Sequence, residues 1–190
     1  RIIPGAGAVF SENEPNFVYQ KDPRVFIMIA RLLKEKGVEE YLETALHYKY
    51  DKNIKFFLIG SHKKDKNYIS KKLLDEAISS NAIIYKKYTD NISPILKEAT
   101  CIILPSYREG MSTILLETAV LKIPIITTKV PGCIDIVPDE SYGTLCEPKD
   151  SGSLIRSIDR FLKLSKEDLE RQTNKTYEHV KKNYSRDKIL

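Results

Sequence analysis

Three observations predict a doubly wound α/β domain with a parallel sheet of about six strands. Six short runs, RVFIMIA, IKFFLIG, NAIIY, TCIILP, IPIIT and GTLCEP, are predominantly apolar instead of alternating with polar residues, as strands buried on both faces are. Amphipathic stretches of helical period lie between them, and such alternation of strand and helix closes through right-handed crossovers. The 190 residues carry 42% hydrophobic side chains, enough to bury roughly 70% of the unfolded surface in one core.

Taken in order, residues 1–20, opening RIIPGAGAVF, read as a linker leading into the domain, and a start at Arg1 without methionine suggests a piece of a longer protein. The first strand, RVFIMIA, is followed by a helical pattern over Val38 to Tyr50; IKFFLIG is followed by one over Tyr68 to Ser79. NAIIY leads to a short pattern at Ile92 to Glu98, and TCIILP to one at Thr113 to Leu121. Pro131-Gly132 and Pro138 punctuate the stretch between the fifth and sixth strands. Asp150 with Ser151 offers an N-cap for a helix from Leu154 to Leu164, and a last helix runs over Lys166 to Tyr184 in a C-terminal segment spanning 165–190.

Charge and cysteine usage narrow the functional classes. The net charge of +5 gathers in SHKKDKNYISKK, YKKY and VKKNYSRDK, which favours a moderately anionic partner. No helix-turn-helix, zinc-finger or aromatic RNP pattern accompanies it, so nucleic acid is not expected as a partner. Cys101, Cys133 and Cys146 are odd in number and widely spaced, with no histidine at ligand spacing, which predicts neither a disulfide framework nor a metal site. No apolar run reaches the ~20 residues needed to span a bilayer, and a cytoplasmic chain is expected.

In an open parallel sheet, ligands sit outside the carboxyl ends of the strands. After the first strand, ARLLKEKG places Arg31 and Lys36 above that edge; alone, a solvated basic loop is the simpler reading. After the fourth, LPSYREGMSTILLETAV turns through SYREG into a helix starting near Ser112 or Thr113, whose free N–H groups and dipole suit a phosphate or diphosphate. Gly110 lets a ligand approach the backbone there, and Ser112 and Thr113 add hydroxyl donors. Glu117, about one turn into that helix, is placed to accept from a vicinal diol such as a ribose, while Glu109 sits on the other side of the phosphate site, eight positions earlier. Two acceptors bracketing a phosphate site describe a nucleotide sugar, although taken alone Glu109 reads more simply as a helix-start acid favoured by the dipole and Glu117 as a solvated helix residue.

These stretches together resemble the C-terminal donor-binding domain of the retaining family-4 glycosyltransferases of GT-B type, the glycosyl transferases group 1. The resemblance spans nearly the whole chain: IPGAGAVF is similar to the family's linker, ARLLKEKG to its basic loop, PSYREGMSTILLE to its E-x7-E signature, and IPIITTKVPGCIDIV to its GxPVIxTxxxGxxEIV segment. Ala30 and Asp135 depart from the usual glycine and glutamate, and GSH replaces a glycine-rich turn after the second strand. The resemblance implies a Rossmann-like fold forming one half of a GT-B enzyme. It implies that Arg31 and Lys36 neutralise the donor diphosphate, that Glu109 contacts the donor sugar, and that these three form the catalytic set. Gly110, Met111, Ser112 and Thr113 would form the turn over sugar and phosphate, Glu117 would hold the ribose, and the YKKYTD loop, with Lys87 and Tyr88, would hold the base.

The resemblance further implies a UDP-sugar donor, a hexose or N-acetylhexosamine, and an acceptor domain that precedes this chain in the same polypeptide. Acceptors in polysaccharide biosynthesis include membrane-bound, lipid-linked glycans, so a peripheral position on the inner face of the cell membrane is expected. No Asp-x-Asp pair occurs, so no metal cofactor is expected. A non-catalytic nucleotide-sugar binding module is the alternative, which turnover by the full-length protein would separate from an enzyme. A scaffold domain would bind no nucleotide at all.

Overall fold

The computed structural model describes residues 7–20, 22–63, 65–88 and 92–185, with Ser93 described by its backbone alone. Strands β1 (Arg24–Ile29), β2 (Ile54–Ile59), β3 (Ile84–Lys86), β4 (Cys101–Leu104), β5 (Ile125–Thr128) and β6 (Thr144–Cys146) form one parallel sheet in the order β3-β2-β1-β4-β5-β6. The helices are α1 (Val38–His47), α2 (Lys71–Ser79), α3 (Ser93–Leu96), α4 (Thr113–Val120), α5 (Ser151–Leu162) and α6 (Lys166–Tyr184). The predicted doubly wound, Rossmann-like sheet is the one observed. Chain direction across the sheet reverses between β1 and β4, which opens a crevice at their carboxyl ends.

The apolar runs of the central strands follow from burial on both faces. In β1, Phe26 and Met28 enter the larger core, while Ile27 and Ile29 enter a second core with Leu96 and Ala99. Phe26 lies 5.4 Å from the Phe56 ring and 5.7 Å, edge-on, from Phe161 of α5. Tyr41 of α1 is fully buried, and its hydroxyl donates to the carbonyls of Phe26 (3.0 Å) and Phe57 (2.8 Å), so the one polar atom of a large core side chain is satisfied by sheet backbone. α1 packs on α2 and α5, and α4 packs on α6.

Helix boundaries depart from the sequence reading where local chemistry intervenes. α2 starts at Lys71 and not Tyr68, because Tyr68 forms a bridge with Leu33 and its ring packs edge-on against His62. α5 starts at Ser151, three residues before Leu154, since the Asp150 carboxylate accepts from Ser153 N at 2.8 Å and caps the helix there. α1 ends at His47, before Tyr50, and α3 is only four residues long. α6 spans the predicted residues and is closed by a reciprocal capping box between Ser165 and Asp168.

The expected linker is fastened to the domain. Ala8 N donates to Tyr184 O (2.8 Å), and Phe10 packs edge-on against Tyr177 of α6 at 5.4 Å. Lys122, just past α4, pairs with Glu14 and sits 4.8 Å over the Tyr177 ring. Residues 1–6 of the linker and 186–190 of the C-terminal segment lie outside the described residues.

All three cysteines are free and buried. Burial pushes the Cys101 and Cys133 thiols up and raises Cys146 to about 12, so none offers thiolate near neutral pH. A thiol-specific reagent at pH 8 should label none of them in the native chain and all three in denaturant; rapid native labelling of any would contradict this packing.

Candidate functional site

The crevice at the strand reversal is lined by side chains from three directions. The loop after β1 supplies Lys36, the turn after β4 and the start of α4 supply Glu109, Met111, Ser112, Thr113 and Glu117, and the loop after β3 supplies Tyr88. Together they enclose about 840 Å³, within the range of small-ligand clefts. The linker adds a wall the sequence reading did not foresee: Ala8 and Val9 face α4 across the cleft.

Two glycines force these loops together. Gly37 has φ 72, and a Cβ there would lie 2.0 Å from the Pro105 carbonyl oxygen, so the loop after β1 rests directly on the backbone leaving β4. Gly132, at φ 81 in the turns after β5, would place a Cβ 1.8 Å from Gly110 O and 2.7 Å from Glu109 O. Only glycine combines that backbone conformation with so close an approach. Gly110 is the opposite case, with nothing within 4 Å of a Cβ built on it: its missing side chain faces open space, as a surface reserved for a ligand would.

Within this frame Lys36 Nζ lies 2.8 Å from Glu109 Oε1, and the Ser106 hydroxyl donates to the same oxygen at 2.8 Å. Both charged side chains are largely removed from water, at 18% and 9% exposure, so the pair is screened far less than a surface ion pair. Ser106 is itself held by Thr128, whose hydroxyl donates to Ser106 O at 2.5 Å. Ser106 and Thr128 escaped the sequence reading; a hydroxyl three residues before Glu109 was the available signal.

α4 presents an open N-terminus to the cleft. Ser112 is its N-cap but makes no side-chain cap bond, and no acidic residue occupies the first turn, so the N–H groups of that turn are left for an incoming acceptor. Glu117 follows one turn later on the cleft wall, and desolvation by its surroundings raises its carboxyl above the usual range.

Two predicted residues stand apart. Arg31 is exposed, does not line the cleft, and its guanidinium has no hydrogen-bond or ion-pair partner among the described residues. Lys87 lines a separate depression of about 400 Å³ with His62, Lys71 and Tyr85, while its neighbour Tyr88 faces the main cleft. Thr89 and Asp90 of the same loop lie outside the described residues. Among the described residues no group of three or more His, Cys, Asp or Glu side chains could hold a metal ion, and no helix is long and apolar enough to cross a membrane.

Residues 9–179 match the family described as Glycosyl transferases group 1. The chain belongs to this family. Among curated proteins this group 1 glycosyltransferase chain is 30% identical over 147 residues to the N,N'-diacetylbacillosaminyl-diphospho-undecaprenol alpha-1,3-N-acetylgalactosaminyltransferase of Campylobacter jejuni, covering 77% of this chain and 37% of that protein. It is 26% identical over 135 residues to the capsular polysaccharide biosynthesis glycosyltransferase CapM of Staphylococcus aureus, covering 70% and 35% respectively. The chain thus spans little more than a third of the length of these relatives. Among solved structures, TarM superposes with a TM-score of 0.75 at 21% identity over 95% of this chain and 36% of that one. Anabaena HepE in complex with UDP-glucose superposes with a TM-score of 0.75 at 16% identity, over 87% of this chain and 46% of that one. The fold is that of one half of the GT-B glycosyltransferases.

Proposed function

We propose that this chain is the donor-binding half of a retaining glycosyltransferase that takes a hexose or N-acetylhexosamine from UDP. The observation that carries the reading is the convergence, in one cleft at the sheet's reversal point, of Lys36, the open N-terminus of α4, and the two carboxylates Glu109 and Glu117. The N–H groups of α4 and Lys36 receive the diphosphate, Glu117 accepts from the ribose hydroxyls, and Glu109 reaches the sugar. Arg31, exposed outside the cleft lining, would reach the diphosphate by swinging inward, and the loop holding Lys87 and Tyr88 would carry the base. UDP is favoured as carrier because HepE was solved with UDP-glucose and the pneumococcal O-GlcNAc transferase GtfA with UDP and GlcNAc.

In this reading negative charge builds on the diphosphate as the glycosidic bond breaks. Lys36 and the α4 backbone dipoles, fixed beforehand, stabilise that charge without reorganising. The acceptor side lies in a separate domain of the full-length protein, so residues 1–190 alone bind donor without transferring sugar. The relatives in capsule and lipid-linked oligosaccharide synthesis favour a glycan or lipid-linked acceptor in polysaccharide biosynthesis, reached from the cytoplasmic face of the membrane.

Calorimetric titration of UDP tests the reading. Saturable binding should stabilise the chain by roughly 2.7 kcal/mol at a hundredfold excess over Kd. Glu117→Ala should weaken it. Because desolvation raises the Glu117 carboxyl, its protonation on acidification begins at a higher pH than for an ordinary glutamate, and the ionised form is the better ribose acceptor. UDP affinity should therefore fall as pH drops toward 5 more steeply in wild type than in Glu117→Gln. Identical pH profiles, or equal affinity for UDP in wild type and Glu117→Ala, would remove Glu117 from the ribose.

A further inference from the structure

Tyr107 stands outside the cleft, yet it ties the turn after β4 to the segment that carries Lys36. Its backbone N donates to Glu35 O at 2.8 Å, and its hydroxyl donates to Glu40 Oε1 in the first turn of α1. These two ties flank Lys36 in sequence, and the Gly37–Pro105 backbone contact lies between them. Lys36 and Glu109 therefore face each other at 2.8 Å across two strips of backbone stitched on both sides. Glu40 is an unusual partner for a loop tyrosine. Its Oε2 is buried with no hydrogen-bond partner, and Tyr107 is the one donor bonded to its carboxylate among the described residues.

A half-buried carboxylate with a single donor is costly to keep and strongly bound to that donor. The tie is also protected chemically. Desolvation, then the bond to Glu40, raise the Tyr107 phenol well above its ordinary range, so it remains a donor at any physiological pH. Lys149 Nζ lies 5.2 Å over the ring.

We infer that Glu40 and Tyr107 are positioning residues that set the place of Glu109 relative to Lys36, and through it the recognition of the donor's sugar. The inference rests on the reading of the cleft as a nucleotide-sugar site. Neither residue lines the cleft, so neither touches the donor. Losing the hydroxyl removes one tie of the SYREG turn to α1, while the Tyr107 N bond to Glu35 O, the Gly37–Pro105 contact, the Gly132 contact and the Thr128 bond to Ser106 still hold the rest of the turn. The consequence is a displaced Glu109 in a folded chain. Sugar recognition suffers, while α4, Glu117 and the diphosphate contacts stay where they are.

The test is titration of UDP and UDP-glucose into wild type, Tyr107→Phe, Glu40→Ala, Glu40→Gln, Glu109→Gln and the double variant Tyr107→Phe/Glu109→Gln, with thermal melting to establish folding. Tyr107→Phe and Glu40→Ala should weaken UDP-glucose by roughly three- to tenfold, the range that one lost hydrogen bond gives, and leave UDP within about twofold. Glu40→Gln keeps an amide oxygen to accept from the phenol and should restore most of the UDP-glucose affinity. In the Glu109→Gln background, Tyr107→Phe should add nothing, because its effect runs through Glu109. Equal losses for UDP and UDP-glucose, no loss for either, or an undiminished Tyr107→Phe effect in that background would overturn the positioning role alone. A wild-type chain that binds no UDP would overturn the functional reading and this inference with it.

Discussion

Lys36→Ala weakens UDP binding by well over tenfold while uridine binds within about twofold of wild type, since charge-assisted hydrogen bonds contribute about 1.5–3 kcal/mol each and the nucleoside offers no phosphate to receive them. In the proposed reading the larger share falls to Lys36, which lines the cleft, and a smaller one to Arg31, which is exposed and outside the cleft lining. Arg31→Ala should therefore cost less than Lys36→Ala, and the double variant little more than Lys36→Ala alone. The substitution also strands Glu109, 9% exposed, with Ser106 as its remaining donor, so a stability loss of about 1–3 kcal/mol accompanies it. Titrating UDP and uridine into wild type and variants, each in EDTA and in manganese, checks the assignment. Equal losses for the two ligands, or UDP binding to wild type only in manganese, would defeat a clamp made of Lys36 and the α4 N-terminus.

The second large effect separates Gly132 from Gly110. Gly132→Ala should fail to fold or lose more than about 3 kcal/mol, combining the cost of a left-handed backbone conformation with a Cβ driven into backbone. The clash is with Gly110 O at 1.8 Å, and no flexible side-chain end is available to yield. Gly110→Ala, by contrast, meets nothing within 4 Å and should melt as wild type does, yet bind UDP-glucose less well because its methyl group points into the open space that a donor would fill. Thermal melting and calorimetry on both variants decide the matter. A stable Gly132→Ala chain would contradict the packing of the loop after β5 on the Glu109 turn, and a Gly110→Ala chain with unimpaired UDP-glucose binding would remove Gly110 from the site.

The sheet was legible because its strands are mostly apolar on successive residues, as a two-faced parallel sheet requires; Phe26 and Ile27 point to opposite cores and are equally apolar. The α4 site was legible because strand, small-residue turn and helix follow one another without a gap from Cys101 to Val120. What the sequence could not supply were contacts between loops far apart in the chain. Nothing local links Tyr107 to Glu40, Thr128 to Ser106, or Gly132 to Gly110, and the linker wall at Ala8 and Val9 depends on how residues 7–14 dock on α6. Arg31 and Lys36 share one basic loop, but Lys36 lines the cleft while Arg31 is exposed outside its lining. Tyr68 left its predicted helix for the same reason: its partners, Leu33 and His62, lie outside it.

The ion pair between Lys36 and Glu109 gives the cleft the character of a loaded ion exchanger. The fixed cation already carries a resident counter-ion, so the pair is neutral from a distance and contributes little to any long-range pull on an anion. Arrival of the proposed diphosphate is then an exchange at contact: Lys36 changes partner, and the displaced carboxylate is released beside the sugar that enters with the phosphates. A cleft of this type discriminates by what happens to the counter-ion it gives up. Free phosphate or pyrophosphate would leave Glu109 with Ser106 as its remaining donor, whereas a sugar-bearing diphosphate brings further hydroxyl donors to the very carboxylate it displaces.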